Sequence, residues 1–199
     1  MLPKVENVGH ILWLSILLDQ LEMSEGLEPG QIGIEAQIEG PEGLSNIDDI
    51  ASATPRIETL IFGPGDFMAA MQIPALTIAS PRSGGHDPFD GVLLQIAVTA
   101  RKYGIQAIDG PYALIKDVDG YADAASRAAR FGFDGKWVLH PGQVDAANAA
   151  FSPTQADYDK AELILDAYAY YTSPEGGSLG AVMLGDEMID EASRKLATV

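Results

Sequence analysis

Apolar runs of strand length alternate with longer segments of helical periodicity along most of this chain. Glycine and proline bound these runs, and both residues commonly end strands and helices. The pattern predicts a strand end at 1–7 and strands at 32–39, 57–66, 105–112 and 135–144. Helices are predicted at 7–25, 43–54, 89–104, 117–133 and 152–171, and a short strand and a final helix follow in the tail.

Local signals add detail to these elements. In the first helix, Ile11, Leu14, Leu18 and Leu21 recur at helical spacing, which predicts one apolar face and an amphipathic helix. The stretch 67–90 is rich in proline, glycine and serine and is predicted to be irregular.

End signals support several helix boundaries. Ser45 and Ser152 are predicted N-caps, because a serine side chain can accept a hydrogen bond from the first turn of a helix. Gly104 and Gly132 are predicted to end their helices, because glycine readily adopts the left-handed conformation found there.

The alternation of strands and helices is typical of parallel α/β folds, which form either a doubly wound sheet or a (β/α)8 barrel. No G-x-G-x-x-G motif opens a helix, so a dinucleotide-binding Rossmann unit is not favoured. Polar residues follow the predicted strands, as at the mouth of a barrel, where the C-terminal strand ends carry the chemistry. These polar strand ends are Lys4, Glu39, 63–66, 109–112 and His140.

The fold expected from this pattern is an α/β fold of the TIM (β/α)8 barrel class. Only about half of the eight strands are predicted, and a whole barrel needs roughly 200 to 250 residues. We therefore expect the C-terminal part of a barrel. Strands about 4 to 8 would lie in 1–150, the last barrel helix in 151–175, and a C-terminal lid segment in 176–199, which begins with a Gly-Gly linker.

Composition narrows the class of protein. Of the 199 residues, 47% are apolar, which is enough for a sizeable core. No stretch has the roughly 18 uncharged apolar residues that a membrane helix needs, and no signal peptide is recognisable. The chain has no cysteine, which excludes disulfide and thiolate chemistry and favours a cytoplasmic protein.

The chain is strongly acidic, with a formal net charge of −17. A surface of that charge repels phosphate backbones, so nucleic acid is not an expected partner. Halophilic adaptation and ordinary solubility both account for such a charge, and the second is the simpler interpretation.

Two acids close adjacent strands of the predicted pattern, Glu39 and Asp66. Adjacent parallel strands lie about 4.8 Å apart, so these carboxylates can share one divalent ion. Two oxygen ligands, completed by water and substrate, are typical of Mg²⁺. The alternative is that each acid caps the turn that follows its strand.

Other polar residues at the strand ends have a chemical and a structural interpretation. Lys4 either meets an anionic substrate or faces a carboxylate, and Glu35 is expected to be buried beneath Glu39 with a basic partner. Asp109 is expected to make a structural hydrogen bond to the next loop. His140 is expected to pack or to form a hydrogen bond rather than to act in catalysis.

Several segments together resemble a known family. They are "PKVEN", "IEAQIEGPEGL", "SATPRIETLIFGPGDF", "AIDGPYALIKDVDGYADAASRAARFGFDGKWVLHPGQV" and "MIDEASRK". In order and spacing they look like the citrate lyase beta-subunit-like group of the HpcH/HpaI aldolase family, most of all its malyl-CoA and β-methylmalyl-CoA lyases. The resemblance implies a barrel of the phosphoenolpyruvate/pyruvate-binding type and a lyase that joins or cleaves an acyl-CoA and a 2-oxo acid such as glyoxylate.

The resemblance also implies roles for particular residues. Glu39 and Asp66 match the family's ligands of Mg²⁺, which Mn²⁺ can replace, and Asp190 in the "MID" motif matches the catalytic acid/base. In relatives this acid reaches a neighbouring subunit of a trimer or hexamer, so a homo-oligomer is expected. The expected substrate contacts are Lys4, Pro64, Gly65 and Asp66.

Two departures from the family leave alternatives open. The family's catalytic arginine and an earlier acid lie in the half of the barrel that precedes this sequence. In addition, Gly185-Asp186 stands where relatives usually have Asp-Gly, which changes the turn before Asp190. A citramalyl-CoA lyase, a malyl-CoA thioesterase and a truncated, non-catalytic assembly subunit therefore remain as alternatives.

Overall fold

A computed structural model describes residues 1–78 and 87–199 of the chain. Contacts divide the chain into two compact units, Met1–Phe151 and Ser152–Val199. Among the described residues, no helix has the length and apolar character needed to cross a membrane.

In the described residues of the N-terminal unit, four strands, β1 to β4, form a parallel sheet in sequence order. The strands are β1 (Ile34–Ile38), β2 (Ile57–Phe62), β3 (Gln106–Asp109) and β4 (Gly135–Lys136). Leu2 adds a single parallel bridge to Ala36 at the β1 edge, so the predicted N-terminal strand end pairs with the sheet. The expected parallel α/β fold is confirmed.

Helices connect the strands, as parallel pairing requires. In the N-terminal unit they are α1 (Val8–Ser24), α2 (Pro41–Ser45), α3 (Ile47–Ser52), α4 (Pro64–Ala70), α5 (Asp90–Tyr103), α6 (Val118–Arg130) and α7 (Val144–Phe151). A 3₁₀ turn, Pro141–Gln143, precedes α7. Gly104 and Gly132 have the left-handed conformation predicted for them, at φ 67° and 84°.

The core lies between the helices and one face of the sheet. Alternate residues of β2, Leu60 and Phe62, are 0% and 2% exposed and belong to the largest apolar cluster. Phe62 also packs edge-to-face against Phe67 and Phe89, with ring centroids 5.5 and 5.2 Å apart. This aromatic cluster supports the C-terminal end of β2, where the chain turns into α4.

Helix α1 is apolar on more than one face. Ile11 is fully buried, and Leu14 and Leu18 pack against the core as expected. Trp13 and Leu21, however, are 66% and 50% exposed, so the prediction of a single apolar face is wrong for this helix. Neither Trp13 nor Leu21 belongs to the apolar cluster that contains Ile11.

A buried group of charges joins the end of α1 to the start of β2. The Arg56 guanidinium donates to the carboxylates of Glu22 and Asp19 and to the backbone oxygen of Ile32. Glu22 also accepts hydrogen bonds from the backbone N–H groups of Gly30 and Ile32, both at 2.7 Å. These bonds fix the loop before β1 at the N-terminal end of the sheet.

Three local predictions are wrong. Residues 64–66, predicted to end the second strand, begin helix α4 instead, because a proline at the first helical position suits a helix start, and α4 continues to Ala70 within the stretch predicted to be irregular. Ser45 is the last residue of α2, and Asn46 is at the N-cap of α3. Thr154, not Ser152, caps the next helix, because its hydroxyl accepts a hydrogen bond from Asp157 N–H. Residues 79–86 of the stretch predicted to be irregular lie outside the described residues.

The C-terminal unit contains two helices and a hairpin. They are α8 (Gln155–Thr172), β5 (Ala181–Leu184), β6 (Glu187–Asp190) and α9 (Glu191–Thr198). The sequence predicts one strand in this tail, but the structure has two, which pair antiparallel. Gly185 in the two-residue turn has φ 63°, a conformation that glycine adopts without strain.

Candidate metal centre

The ends of β1 and β2 bring two carboxylates together. Ile38 pairs with Phe62 in the parallel register, so Glu39 and Gly63 follow the two strands side by side. Asp66 lies one turn further on, in the first turn of α4. Both acids line a cavity of about 270 Å³. The structure thus gathers the two acids that the sequence singled out as metal ligands.

Lys4 lies between these two acids. Its Nζ is 2.6 Å from Asp66 Oδ2 and 3.3 Å from Glu39 Oε2. Of the two interpretations of Lys4 left open by the sequence, the structure has the one in which it faces carboxylates. The Lys4 backbone is left-handed, with φ 52°, which is uncommon for a residue other than glycine.

Glu39 is held in a confined position. The residue is 8% exposed, and its Oε2 is buried and accepts no hydrogen bond from any described residue, although Lys4 lies at ion-pair distance. Gly63 makes room for the side chain, because a Cβ there would lie 2.3 Å from Glu39 Cγ. A buried carboxylate oxygen without a donor is suited to a cation, since such oxygens rarely go unsatisfied.

The two carboxyl groups differ in acidity. Burial is the main cause that raises the pKa of Glu39; the contact with Lys4 opposes this rise, and the neighbouring Asp66 adds to it. The hydrogen bond from Lys4 lowers the pKa of Asp66, and the same contact raises the pKa of Lys4. The shifts are opposite because Glu39 is buried, whereas Asp66 is exposed and makes the shorter contact with Lys4.

The donor set fits a hard divalent cation. Mg²⁺ is commonly bound by one or two carboxylates while water and substrate complete its octahedron. No cluster of three or more histidine, aspartate or glutamate ligands occurs within residues 1–78 and 87–199. Glu39 and Asp66 would therefore act as the only two protein ligands from this part of the chain, and the 270 Å³ cavity leaves room for the others.

The remaining residues predicted near this site lie at different places. Glu35 is exposed, so the expectation that it is buried with a basic partner is wrong. Near the N-terminal end of β1, the face of the strand that carries Glu35 is open to solvent. Pro64 and Gly65 share the first turn of α4 with Asp66, and Pro64 lines a second, larger cavity of about 470 Å³.

Asp109 and Lys136 form a buried ion pair in the wall of the larger cavity. Lys136 Nζ is 2.6 Å from Asp109 Oδ2, and the side chains are 4% and 10% exposed. Asp109 also accepts a hydrogen bond from Gly110 N–H at 2.8 Å, which confirms the predicted bond to the next loop. Lys136 was not predicted as a partner of Asp109, because the two residues meet only through the pairing of β4 with β3.

His140 has a structural role. Its Nδ1 accepts a hydrogen bond from Gly142 N–H at 3.0 Å, which caps the 3₁₀ turn and confirms the structural interpretation. The neighbouring Gln143 was missed. It is fully buried, accepts from Leu139 N–H and donates to Tyr112 O, so it ties the loops after β3 and β4 together.

Asp190 is the last residue of β6 and the N-cap of α9 in the C-terminal unit. Its Oδ1 accepts hydrogen bonds from Ala192 N–H and Ser193 N–H, at 2.8 and 3.1 Å. Within the described part of the chain, Oδ2 receives no hydrogen bond. Oδ1 therefore caps α9, and Oδ2 is available to another hydrogen-bond partner.

Comparison with known proteins identifies close relatives of this chain. It is 30% identical over 209 residues to the L-malyl-CoA/β-methylmalyl-CoA lyase of Rhodobacter capsulatus, an alignment that covers 100% of this chain and 64% of the relative. The chain thus spans about 64% of the length of this curated relative.

Solved structures share the fold. A citrate lyase from Burkholderia xenovorans LB400 superimposes with a TM-score of 0.85 at 26% identity, over 99% of this chain and 60% of that one. The protein CitE from Mycobacterium tuberculosis, in complex with magnesium, acetoacetate and coenzyme A, gives a TM-score of 0.74 at 24% identity, over 100% of this chain and 65% of that one.

A family model described as HpcH/HpaI aldolase/citrate lyase matches residues 1–141, which include the whole sheet and the Glu39–Lys4–Asp66 cluster. The resemblance noted in the sequence is thereby confirmed. This chain belongs to the HpcH/HpaI aldolase/citrate lyase family.

Proposed function

We propose that this chain carries the metal centre of a carbon–carbon lyase that acts on a 3-hydroxyacyl-CoA such as malyl-CoA. Cleavage would give acetyl-CoA or propionyl-CoA and glyoxylate, and the reverse reaction would condense them. The observation that supports this proposal most is the pair of carboxylates, Glu39 and Asp66, held around one positive charge at the ends of adjacent strands.

Glu39 and Asp66 would hold Mg²⁺, or Mn²⁺ in its place. The ion would supply Lewis acidity toward the carbonyl of the 2-oxo acid. Glu39, fixed by burial and by its contact with Gly63, would set the position of the site. Asp66, whose side chain is 59% exposed, would close it from the solvent side. CitE, a protein of the same fold, binds magnesium together with coenzyme A and acetoacetate, and this supports the assignment.

The substrate would lie on the first turn of α4. Pro64, Gly65 and Asp66 form this turn, beside the cavity that contains Lys4. A 2-oxo acid carries a carboxylate, and the Lys4 ammonium is the basic group that contacts both acids among the described residues. Lys4 would pair with that carboxylate and orient the reacting bond.

Asp190 would act as the acid/base. In carbon–carbon cleavage the 3-hydroxyl of the substrate would lose its proton to water and become the aldehyde of glyoxylate, and the electron pair of the broken bond would leave an enolate of the acyl-CoA. A carboxyl group would then deliver a proton to the enolate carbon, or remove one in the condensation direction. The Oδ2 atom, which accepts no hydrogen bond from the described residues, would exchange this proton. Oδ1 would keep the side chain oriented through its bonds to α9.

The hairpin that carries Asp190 supports an oligomer. Asp190 lies on the same face as Met183 and Met188, which oppose each other across the strands and are each 60% exposed. The other face of the hairpin carries Ile189, which is fully buried. We expect a homo-oligomer, a trimer or hexamer, in which this methionine-bearing face covers the metal site of a second copy. A monomer in light scattering would contradict this part of the proposal.

The proposal also covers the binding partners of the protein and its compartment. The substrates would be an acyl-CoA and a 2-oxo acid, and the acidic chain would not bind nucleic acid. The protein would work in the cytoplasm, which agrees with a sequence that lacks cysteine.

The test is incubation of the chain with malyl-CoA, with and without Mg²⁺. A lyase releases glyoxylate, which phenylhydrazine detects, whereas a thioesterase releases free CoA, which a thiol reagent detects. The chain has no cysteine, so the thiol assay has no background from the protein. Magnesium-dependent glyoxylate release that Asp66→Asn abolishes is the expected result. Release of CoA alone would favour a thioesterase, and no reaction in any buffer would favour a non-catalytic subunit.

A further inference from the structure

The Lys4 ammonium lies where a cation would bridge the two carboxylates. Its Nζ is within ion-pair distance of one oxygen from each acid, Asp66 Oδ2 at 2.6 Å and Glu39 Oε2 at 3.3 Å. A divalent ion bound by the same oxygens would be in contact with this ammonium. Like charges at that distance repel strongly, so the two cations compete for one place.

The backbone around Lys4 directs its side chain to this place. Leu2 N–H donates to Glu35 O, and Val5 N–H donates to Gln37 O, so the segment is fixed to β1 on both sides of Lys4. Between these anchors Lys4 has φ 52°, a left-handed conformation that only the surrounding structure can maintain in a non-glycine residue. The strained backbone places the ammonium over the acids.

The charge of Lys4 also matters to the metal-free protein. Glu39 is 8% exposed, and one oxygen of each acid lies within ion-pair distance of the same ammonium, so the two carboxylates face each other across the cavity. Without a cation between them, they would repel each other in a partly desolvated site. The ammonium neutralises this repulsion and keeps both side chains pointed inward.

We propose that Lys4 is a resident counter-ion of the metal-free site, which holds Glu39 and Asp66 in place and must move aside when a divalent cation binds. This inference rests on the proposed function, because it takes the two acids as the metal ligands. The Lys4 side chain is 60% exposed, so it has room to swing outward. Once displaced, its ammonium is available to an anionic substrate.

The inference predicts that Lys4 weakens metal binding. Lys4→Met removes the competing charge and keeps the length of the side chain. In titration calorimetry with MgCl₂ on the full chain, we expect Lys4→Met to bind Mg²⁺ about 10-fold more tightly than the wild type. The matched control is Lys102→Met on α5, which changes the net charge equally but breaks an exposed ion pair with Asp48 of α3. It should change the affinity by less than about two-fold.

A second measurement tests the role of Lys4 without metal. In EDTA, Lys4→Met should melt at a lower temperature than the wild type, because the two carboxylates lose their counter-ion. Added Mg²⁺ should reverse this deficit. An unchanged melting temperature in EDTA would contradict a stabilising role for Lys4 in the metal-free protein.

Asp66→Asn separates the two levels of the proposal. It should abolish Mg²⁺ binding in both the wild-type and the Lys4→Met background. If the wild type binds Mg²⁺ and Asp66→Asn does not, but Lys4→Met binds no more tightly than the wild type, the role of Lys4 is overturned and the metal site stands. If no protein binds Mg²⁺, the metal site and the role of Lys4 are both overturned.

Discussion

The Glu39 side chain occupies space that is open only because residue 63 is glycine: a Cβ on Gly63 would lie 2.3 Å from Glu39 Cγ. Gly63 cannot easily move away, because its N–H donates to Ile38 O at 2.8 Å and continues the pairing of β1 with β2. The Glu39 carboxylate can therefore hold its buried position only because Gly63, at the end of β2, has no side chain.

Gly63→Ala should displace Glu39 and weaken metal binding. The added methyl group overlaps Glu39 and also approaches Gln37 Nε2, at 3.0 Å, so the carboxylate must leave its place beside Asp66. Overpacking of this kind destabilises a protein by about 1 to 3 kcal/mol. Calorimetric titration with MgCl₂ and urea unfolding measure the two effects.

Gly91→Ala is the control for this substitution. Gly91 lies in α5, and a Cβ there would meet no atom within 4 Å. Alanine in a helix should stabilise the protein by up to about 1 kcal/mol and leave Mg²⁺ binding unchanged. Equal metal affinities for Gly63→Ala and Gly91→Ala would show that the Glu39 position does not depend on Gly63.

Glu22 should make the protein sensitive to acid. Its hydrogen bond from Arg56, with those from two backbone N–H groups, lowers the pKa of Glu22 from 4.5 to about 2. A folded-state pKa below the unfolded value contributes stability that is complete above pH 4.5 and is lost as the pH falls toward 2. The melting temperature of the wild type should fall across this range, as measured by circular dichroism.

Glu22→Gln should melt several degrees lower at neutral pH and depend less on pH below 4.5. Glu28→Gln serves as its control, because Glu28 is exposed and has no ion pair or hydrogen bond among the described residues. If Glu22→Gln keeps the full pH dependence of the wild type, other carboxylates are responsible for acid unfolding.

Removing one partner of the Asp109–Lys136 pair should be more harmful than removing both. Lys136→Met leaves the Asp109 carboxylate buried without a counter-charge, which destabilises a protein by about 3 kcal/mol. The double change Asp109→Asn with Lys136→Met should recover part of this loss. Urea unfolding of Lys136→Met, Asp109→Asn and the double variant measures the coupling, and simple additivity would mean that the pair does not interact.

Asparagine and alanine at position 190 should separate capping from catalysis. Asparagine caps helices about as well as aspartate, so Asp190→Asn should keep its melting temperature and lose roughly 100- to 10,000-fold in malyl-CoA cleavage. Asp190→Ala should lose the same activity and also about 1 kcal/mol of stability from the missing cap. Full activity in Asp190→Asn would leave Asp190 with only its capping role.

Much of the fold followed from local signals in the sequence. Apolar runs bounded by glycine predicted the parallel strands, and Gly104 and Gly132 end their helices as expected. The meeting of Glu39 and Asp66 was also predictable, because acids that close adjacent parallel strands lie at the same edge of the sheet. The positions of the two acids at the ends of predicted strands were sufficient to predict that they meet.

The rest depended on contacts between distant parts of the chain. Lys136 and Asp109 are 27 residues apart, and Arg56 and Glu22 are 34 apart, so no periodicity within a window reveals either pair. Glu35 is exposed, although it lies on the same face of the strand as the buried Glu39. Burial at each position along a strand depends on which other parts of the chain pack over that position. The alternation of side chains along a strand predicts which face of the sheet a residue lies on, but not whether that residue is buried.

The direct test of the metal centre is an anomalous diffraction measurement on crystals grown with MnCl₂, because Mn²⁺ scatters anomalously and replaces Mg²⁺ at oxygen sites. An anomalous peak within coordination distance of carboxylate oxygens from both Glu39 and Asp66, with the Lys4 ammonium moved away, is the predicted result. Crystals in which manganese binds elsewhere, while Lys4 still joins the two acids, would contradict the account.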